Sequence, residues 1–193
     1  MSTEVLIVFI SSYVLGSISF GLILTKIFIN KDIRKIGSKN IGATNVLRTG
    51  NKSIAILTLL LDILKGSTAV LITEVYFSNL IFLSGLAVFL GHIFPVWLKF
   101  NGGKGVATYL GILLILSLKL GLIFCFSWIL IAFITKYSSL SSIISSLIIF
   151  IISFLENNFE INSYLFITFV IVLYTHRQNI IRLKNKAEDK IKL

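Results

Sequence analysis

Apolar runs about as long as a bilayer is thick follow one another along this chain, with almost no ionisable residue inside them. A membrane-crossing helix needs roughly 20 apolar residues for a hydrocarbon core about 30 Å thick. Runs of that kind fall at about 5–29, 53–73, 80–98, 138–155 and 161–175, and a further apolar stretch, 105–135, is interrupted only by Lys119. Lipid offers no partners to a bare backbone, so each span must satisfy its own hydrogen bonds as a helix. A single proline in 193 residues suits long helices. The expected fold is all-α: a polytopic transmembrane helix bundle in which residues 1–193 form one integral-membrane domain, with no room for a separate soluble one. The first run is too long for a signal peptide and lacks a basic leading region, so it is expected to be a true span.

Composition excludes the other classes. The chain is 56% hydrophobic and 13% charged, against about 45–50% and about 25% for soluble domains. Its net charge of +10 would suit a nucleic-acid-binding domain, but the apolar excess does not, so nucleic acid is not expected as a partner. Disorder would require low hydrophobicity. The one cysteine, Cys125, rules out a disulfide framework and a cysteine-ligated zinc site.

The charges orient the spans by the positive-inside rule. Segment 30–52 carries Lys31, Arg34, Lys35, Lys39, Arg48 and Lys52, the tail carries Arg177, Arg182, Lys184, Lys186, Lys190 and Lys192, and Lys99 and Lys104 lie between them. The remaining connections hold Glu4, Glu74, Glu156 and Glu160. The N-terminus is therefore expected outside and the basic loops and C-terminus in the cytoplasm. Parity requires 105–135 to cross twice or not at all. Two short helices turning at Ser117–Gly121, about 14 residues or roughly 21 Å each, give seven spans, the preferred count; none gives five.

The cytoplasmic segments contain more than orientation needs. Loop one, 37–52, mixes three glycines with Ser38, Asn40, Thr44, Asn45 and the cations Lys39, Arg48 and Lys52. Glycines let backbone N–H groups converge on an anion, and arginine forks onto phosphate oxygens. The plain alternative is a polar connection. Loop two runs from Gly91-His92 through Pro95 and Trp97 to Gly102-Gly103-Lys104-Gly105, then opens into an apolar helical run. That is a phosphate-cradle arrangement, or else a flexible turn. It is not a Walker A loop, because Leu98 stands five residues before Gly103 and Gly105 follows Lys104. In the tail, His176, Asn179 and Leu183 share a helix face, while Arg182 lies nearer Gln178. A headgroup-facing basic helix is the competing reading there.

Within the spans, Asp62 and Lys65 lie three apart and are expected to pair. Lys26 is placed to snorkel. Ser12/Gly16, Ser17/Gly21 and the Ser138, Ser142, Ser146 stripe read as helix-packing contacts. The two histidines stand far apart with no H-E-x-x-H, so no metal or other cofactor is expected. An H-x-x-x-x-D acyltransferase signature is absent, since Trp97 follows His92 by five and Ile181 follows His176 by five.

Taken together, Gly37-Ser38-x-Asn40-x-Gly42-Ala43-Thr44-Asn45-x-x-Arg48, Gly91-His92-x-x-Pro95-Val96 with Gly102-Gly103-Lys104-Gly105-Val106-Ala107-Thr108, Asp62-x-x-Lys65-Gly66, and His176-Arg177-x-Asn179-Ile180-x-Arg182-Leu183 with Glu188 resemble the bacterial integral-membrane acyl-phosphate:glycerol-3-phosphate acyltransferases, the PlsY family. The likeness covers nearly the whole chain. Ser19 stands where many members have proline, Asn101 where a lysine commonly precedes the glycine pair, and Lys186 where a glycine is often seen.

The resemblance implies transfer of an acyl group from a fatty acyl phosphate to the 1-hydroxyl of glycerol 3-phosphate, yielding lysophosphatidate and phosphate, the first acylation of phospholipid synthesis. It implies Ser38, Arg48, His92 and Lys104 as catalytic residues. Arg48 and Lys104 would hold phosphate oxygens, and Gly102, Gly103 and Gly105 would let the backbone approach. Ser38, Asn40 and Thr44 would fix the acyl phosphate or the accepting hydroxyl, with Gly42 and Asn45 also on the substrate. His92 or a substrate phosphate oxygen would take the hydroxyl proton, and His176 and Asn179 would bring the tail onto the site. The implied setting is the cell's inner membrane, with the active loops on the cytoplasmic face. The rival from another class is an anion or phosphate-ester transporter, which would place ionisable groups and broken helices near the midplane. A non-catalytic headgroup-binding scaffold is a second rival, and it would not need the loop-two residues at fixed spacing.

Overall fold

The computed structural model describes residues 2–191. Lys192, assigned above to the basic tail, lies outside the described residues, as does the side chain of Glu156. Among the described residues the chain is helical with no strand. It divides into two compact units, Met1–Leu116 and Ser117–Leu193.

The first unit holds α1 (Thr3–Gly16), α2 (Phe20–Ile29), α3 (Ala43–Leu47), α4 (Lys52–Tyr76), α5 (Ile81–Ile93) and α6 (Val106–Leu116). Small residues set its packing. A methyl group at Gly16 would overlap the Val88 carbonyl, and one at Gly91 would overlap the Tyr13 carbonyl, so α1 and α5 press backbone to backbone at both places. Gly66 against Thr108 and Gly111 against Ile63 repeat the arrangement between α4 and α6. Without a hydrophobic force between helices in lipid, such close approach is what holds them. Ser12 Oγ lies 2.9 Å from Ser84 Oγ, Ser84 donates to the Ala69 carbonyl at 3.0 Å, and Ser67 donates to the Gly111 carbonyl at 2.9 Å. The packing role read for Ser12/Gly16 thus has its partners on α5.

The first apolar run, expected as one helix over 5–29, is instead broken between Gly16 and Phe20. A helix break inside lipid frees carbonyls that need donors. The Ser17 carbonyl accepts from the Trp97 indole at 2.8 Å, and the Ile18 carbonyl accepts from Lys65 Nζ at 2.7 Å. Lys65 also meets Asp62 Oδ1 at 2.8 Å, so the expected pair forms but is only part of what Lys65 does.

The second unit holds α7 (Leu118–Thr135), α8 (Ser138–Ser153), α9 (Phe159–Thr175) and α10 (Arg177–Lys184). The break in 105–135 falls at Ser117, whose side chain caps α7 by accepting from the Leu120 N–H at 3.3 Å. The two pieces are unequal, 11 and 18 residues, where near-equal halves were expected. Trp128 Nε1 donates to Ser142 Oγ at 3.0 Å, which ties α7 to the serine stripe of α8. Among the described residues four helical stretches are long and apolar enough to cross a membrane. They are Thr3–Ile29, Lys52–Tyr76, Ser78–Leu98 and Leu118–Thr135; α9 and α10, bent by 59° at His176, make a fifth if taken together, and α6 and α8 are shorter apolar helices. Apolar side chains such as Leu60, Leu64, Phe126 and Phe133 point outward, as in helices that meet lipid.

Candidate active site

Loop one is built around Asn45. Its Nδ2 donates to the carbonyls of Ile33, Ile36 and Asn40 at 3.2, 2.9 and 2.7 Å, and its Oδ1 accepts from the Ser38 N–H at 3.0 Å. One buried amide therefore gathers the segment 33–40 onto α3, a short helix inside the segment read from sequence as loop one. Asn40 Oδ1 accepts from the Gly42 N–H at 2.9 Å, turning the chain into α3. Gly37 has φ +50, and a methyl group there would crowd Asn45 Oδ1 and Arg48 Cδ. The backbone thus wraps directly over the Arg48 stem. Ser38 is exposed at the rim, while Thr44 and Arg48 are half-buried. An open pocket of about 480 Å³ on this flank is lined by Lys31, Asp32, Lys35, Ile36, Arg48 and Thr49. The Arg34 guanidinium beside Asp32, at 2.7 Å, holds that carboxyl well below the usual carboxylate range.

Loop two doubles back on the end of α5. The N–H of Gly102 donates to the Ile93 carbonyl at 3.0 Å and that of Gly103 to the His92 carbonyl at 3.1 Å. A methyl group at Gly103 would run into His92 Nε2, and one at Gly105, where φ is +81, would run into the Phe89 ring. Close approach requires glycine at both, and at Gly105 the left-handed backbone requires it as well. Lys104, half-buried, leads into α6, so the glycine pair, the lysine and a helix N-terminus stand together. His92 is buried, with Nδ1 at 3.3 Å from Thr108 Oγ1 and 3.7 Å from Asp62 Oδ1. Leu98 of loop two packs against the cluster formed by Ile33, Ile41, Val46 and Ile54, so the two loops share one apolar floor.

The second unit places its candidates in a compact tail. His176 sits at the bend, with Nδ1 at 2.9 Å from the Val172 carbonyl, which fixes the proton on that nitrogen. Asn179 Nδ2 donates to Glu188 Oε1 at 2.6 Å, Ser139 Oγ donates to the same oxygen at 2.7 Å, and Arg182 Nε donates to Oε2 at 2.8 Å. Partial burial acts to raise the Glu188 pKa, but the hydrogen bonds from Asn179, Ser139 and Arg182 outweigh it and hold the carboxyl below its ordinary value. Lys186, which stands where the family often has glycine, has φ +54. Among the described residues no three metal-ligating side chains gather in one place.

The family model described as "Glycerol-3-phosphate acyltransferase" matches residues 6–186. The chain belongs to the glycerol-3-phosphate acyltransferase family. A glycerol-3-phosphate acyltransferase of Pelagibacter ubique is 56% identical over 190 residues, covering 98% of this chain and 99% of the relative. One from Brucella ovis is 51% identical over 182 residues, covering 94% and 90%. Two crystal structures of PlsY, an integral membrane glycerol 3-phosphate acyltransferase, superpose on 97% of this chain. The glycerol 3-phosphate form has TM-score 0.92 at 35% identity and covers 96% of that chain; the lysophosphatidic acid form has TM-score 0.89 at 34% identity and covers 95%. This acyltransferase is thus an integral, multi-pass membrane enzyme of all-helical fold.

Within the first unit, the acyltransferase gathers Ser38, Asn40, Gly42, Thr44, Asn45 and Arg48 into one folded loop, and His92, Gly102, Gly103, Lys104 and Gly105 into the other. What sequence reasoning left apart is the connection of Asp62, Lys65 and Thr108 to His92. The signals available were the i, i+3 spacing of Asp62 and Lys65, which predicts their pairing, and the place of Asp62, Lys65 and Thr108 in the family motifs; neither gives a contact with His92 on another helix.

Proposed function

We propose that this chain transfers a fatty acyl group from acyl phosphate to the 1-hydroxyl of glycerol 3-phosphate, releasing lysophosphatidate and inorganic phosphate. The observation that carries the reading is the shared floor of two glycine-and-cation loops, Leu98 of one packed against the core of the other. Both reactants carry a phosphate at one end, and two adjacent anion sites are what the transfer needs.

Acyl phosphate is a mixed anhydride and already activated. The hydroxyl oxygen attacks the acyl carbonyl carbon, the carbonyl-to-phosphate oxygen bond breaks, and phosphate leaves with its electron pair. The protein's share is positioning and charge stabilisation. In this reading Arg48 and Lys104 hold phosphate oxygens, Gly102, Gly103 and Gly105 bring backbone close to them, and Ser38, Asn40 and Thr44 fix the acyl phosphate or the accepting hydroxyl. Asn45 spends its side chain on loop one's backbone, which supports a positioning role for it, with Gly42 beside it in the turn. Of the two proton acceptors considered, the burial of His92 behind Gly103 favours a substrate phosphate oxygen and leaves His92 to shape the loop. His176 and Asn179 are proposed as substrate-binding residues of the second unit.

The enzyme is proposed to lie in the cell's inner membrane as one functional domain over 1–193. It crosses seven times, with the N-terminus outside and both loops and the C-terminus on the cytoplasmic side. The transporter alternative is not favoured: the first helix is broken, as a transporter would require, but its freed carbonyls are closed by Trp97 and Lys65. The test is purified protein in detergent with acyl phosphate and labelled glycerol 3-phosphate. Labelled lysophosphatidate is expected, and its absence from folded protein overturns the reading.

A further inference from the structure

Four polar side chains are sealed beneath loop two, and the proposed transfer chemistry uses none of them directly. Asp62 is 2% exposed, Lys65 3%, His92 5% and Thr108 0%. Asp62 Oδ1 meets Lys65 Nζ at 2.8 Å and faces His92 Nδ1 at 3.7 Å; Thr108 Oγ1 stands 3.3 Å from the same nitrogen. Asp62 belongs to α4, His92 to α5 and Thr108 to the first turn of α6. The imidazole is therefore bracketed from two neighbouring helices, and its remaining nitrogen lies against Gly103. Lys65 carries the network one step further, to the Ile18 carbonyl at the break in the first span.

Taking a carboxylate and an ammonium out of water is costly, and a buried pair often gives no more stability than apolar residues of the same size. Elsewhere in this unit the same helices are joined by glycine contacts and serine hydroxyls, without charge. What a buried polar network supplies is a fixed geometry. Here the geometry it fixes is that of the ring on which the glycine pair rests, because loop two is tied to His92 twice, by backbone hydrogen bond and by ring contact.

We infer that Asp62, Lys65 and Thr108 are positioning residues for the phosphate-holding loop 102–105, acting through the His92 ring. The inference rests on the proposed acyl transfer. The network holds the imidazole, the imidazole holds Gly103, and Gly103 sets where Lys104 and the start of α6 meet the phosphate. A loop shifted by a fraction of an ångström weakens distance-dependent charge-assisted hydrogen bonds to the substrate phosphate, and so the binding of that substrate.

Two variants test it, each with thermal unfolding in detergent as a check on folding. D62N/K65M removes both charges at similar volume, and T108V removes only the hydroxyl facing His92. Each is expected to raise KM for one of the two phosphate-bearing substrates about tenfold while kcat changes less, and T108S, which keeps the hydroxyl, restores the wild-type KM. Unchanged KM for both substrates in T108V overturns the inference, whatever D62N/K65M does, and so does a fall in kcat alone. Both results leave the acyl-transfer reading intact. An inactive wild type instead contradicts that reading, and equilibrium binding of glycerol 3-phosphate and inorganic phosphate then decides the inference: equal affinity in wild type and T108V contradicts it, and a loss restored by T108S supports it.

Discussion

Gly103 rests its backbone on the imidazole of His92 and donates its N–H to the carbonyl of that same residue at 3.1 Å. The loop proposed to hold phosphate is thereby registered against one side chain of the preceding helix. Replacing Gly103 with alanine drives a methyl group into His92 Nε2. We expect G103A to lower kcat/KM by about a hundredfold. Gly50 is the control: its φ of +87 strains any side chain, but a methyl group there meets nothing within 4 Å. G50A should cost about 1 kcal/mol of stability and leave kinetics near wild type. Equal kinetic losses in the two variants would contradict the ring contact as the cause.

Asn45 and Ser38 test loop one in different ways. Asn45→Ala strands three carbonyls and an N–H that its amide now serves. Thermal unfolding should show a loss of about 3 kcal/mol, with activity falling alongside. Ser38→Ala removes an exposed hydroxyl, so it should unfold like wild type yet lose most transfer activity. Near-full activity in S38A would remove Ser38 from the site.

Asp62 and Lys65 show how far the sequence could be read. Their spacing on a helix predicts the pair, and the pair is there. Gly16, Ser17 and Ser19 at the break, the last standing where many members have proline, are signals the sequence did carry, but small residues inside a span read equally well as helix-packing contacts. The break becomes intelligible only when Trp97 and Lys65, distant in sequence, are seen serving its freed carbonyls. The turn at Ser117 was legible, since a serine ahead of a helical run is a capping signal. Its unequal division was not. Asn45 marks the limit in the other direction. Motif position puts it with the substrate, while its four hydrogen bonds are all to loop backbone, an arrangement that depends on a fold of 33–45 which residue types alone do not dictate.

Glu188 gives the tail a pH dependence of defined sign. A carboxyl held below its ordinary pKa contributes stability that is complete above the unfolded value and disappears as the pH falls through the folded one. The ordinary glutamate value is about 4.3, so the tie from Glu188 to Ser139, Asn179 and Arg182 is whole at neutral pH and lost on acidification below that value. Hydrogen exchange across α10 should quicken there in wild type, and E188Q should exchange faster at neutral pH with little further change on acidification. The same acid response in E188Q would assign it elsewhere. Lys186→Gly, relieving the left-handed backbone, should raise stability by about 1 kcal/mol.

The proposed seven-span topology places Lys119, at the start of α7, outside the membrane. A reporter fused there should give an external signal, although α6, at 11 residues or about 16 Å, needs a locally thin bilayer to cross. A cytoplasmic signal would leave 105–135 on one side.

The central claim is that two anion-holding loops align an already activated donor for direct attack, with no acyl-enzyme in between. It is tested most directly by following inorganic phosphate and lysophosphatidate together in one reaction of purified enzyme with acyl phosphate. With glycerol 3-phosphate present, the two products should appear one for one, and without it no phosphate should be released. A stoichiometric burst of phosphate in its absence, with acyl group retained on the protein at Ser38, would contradict direct transfer.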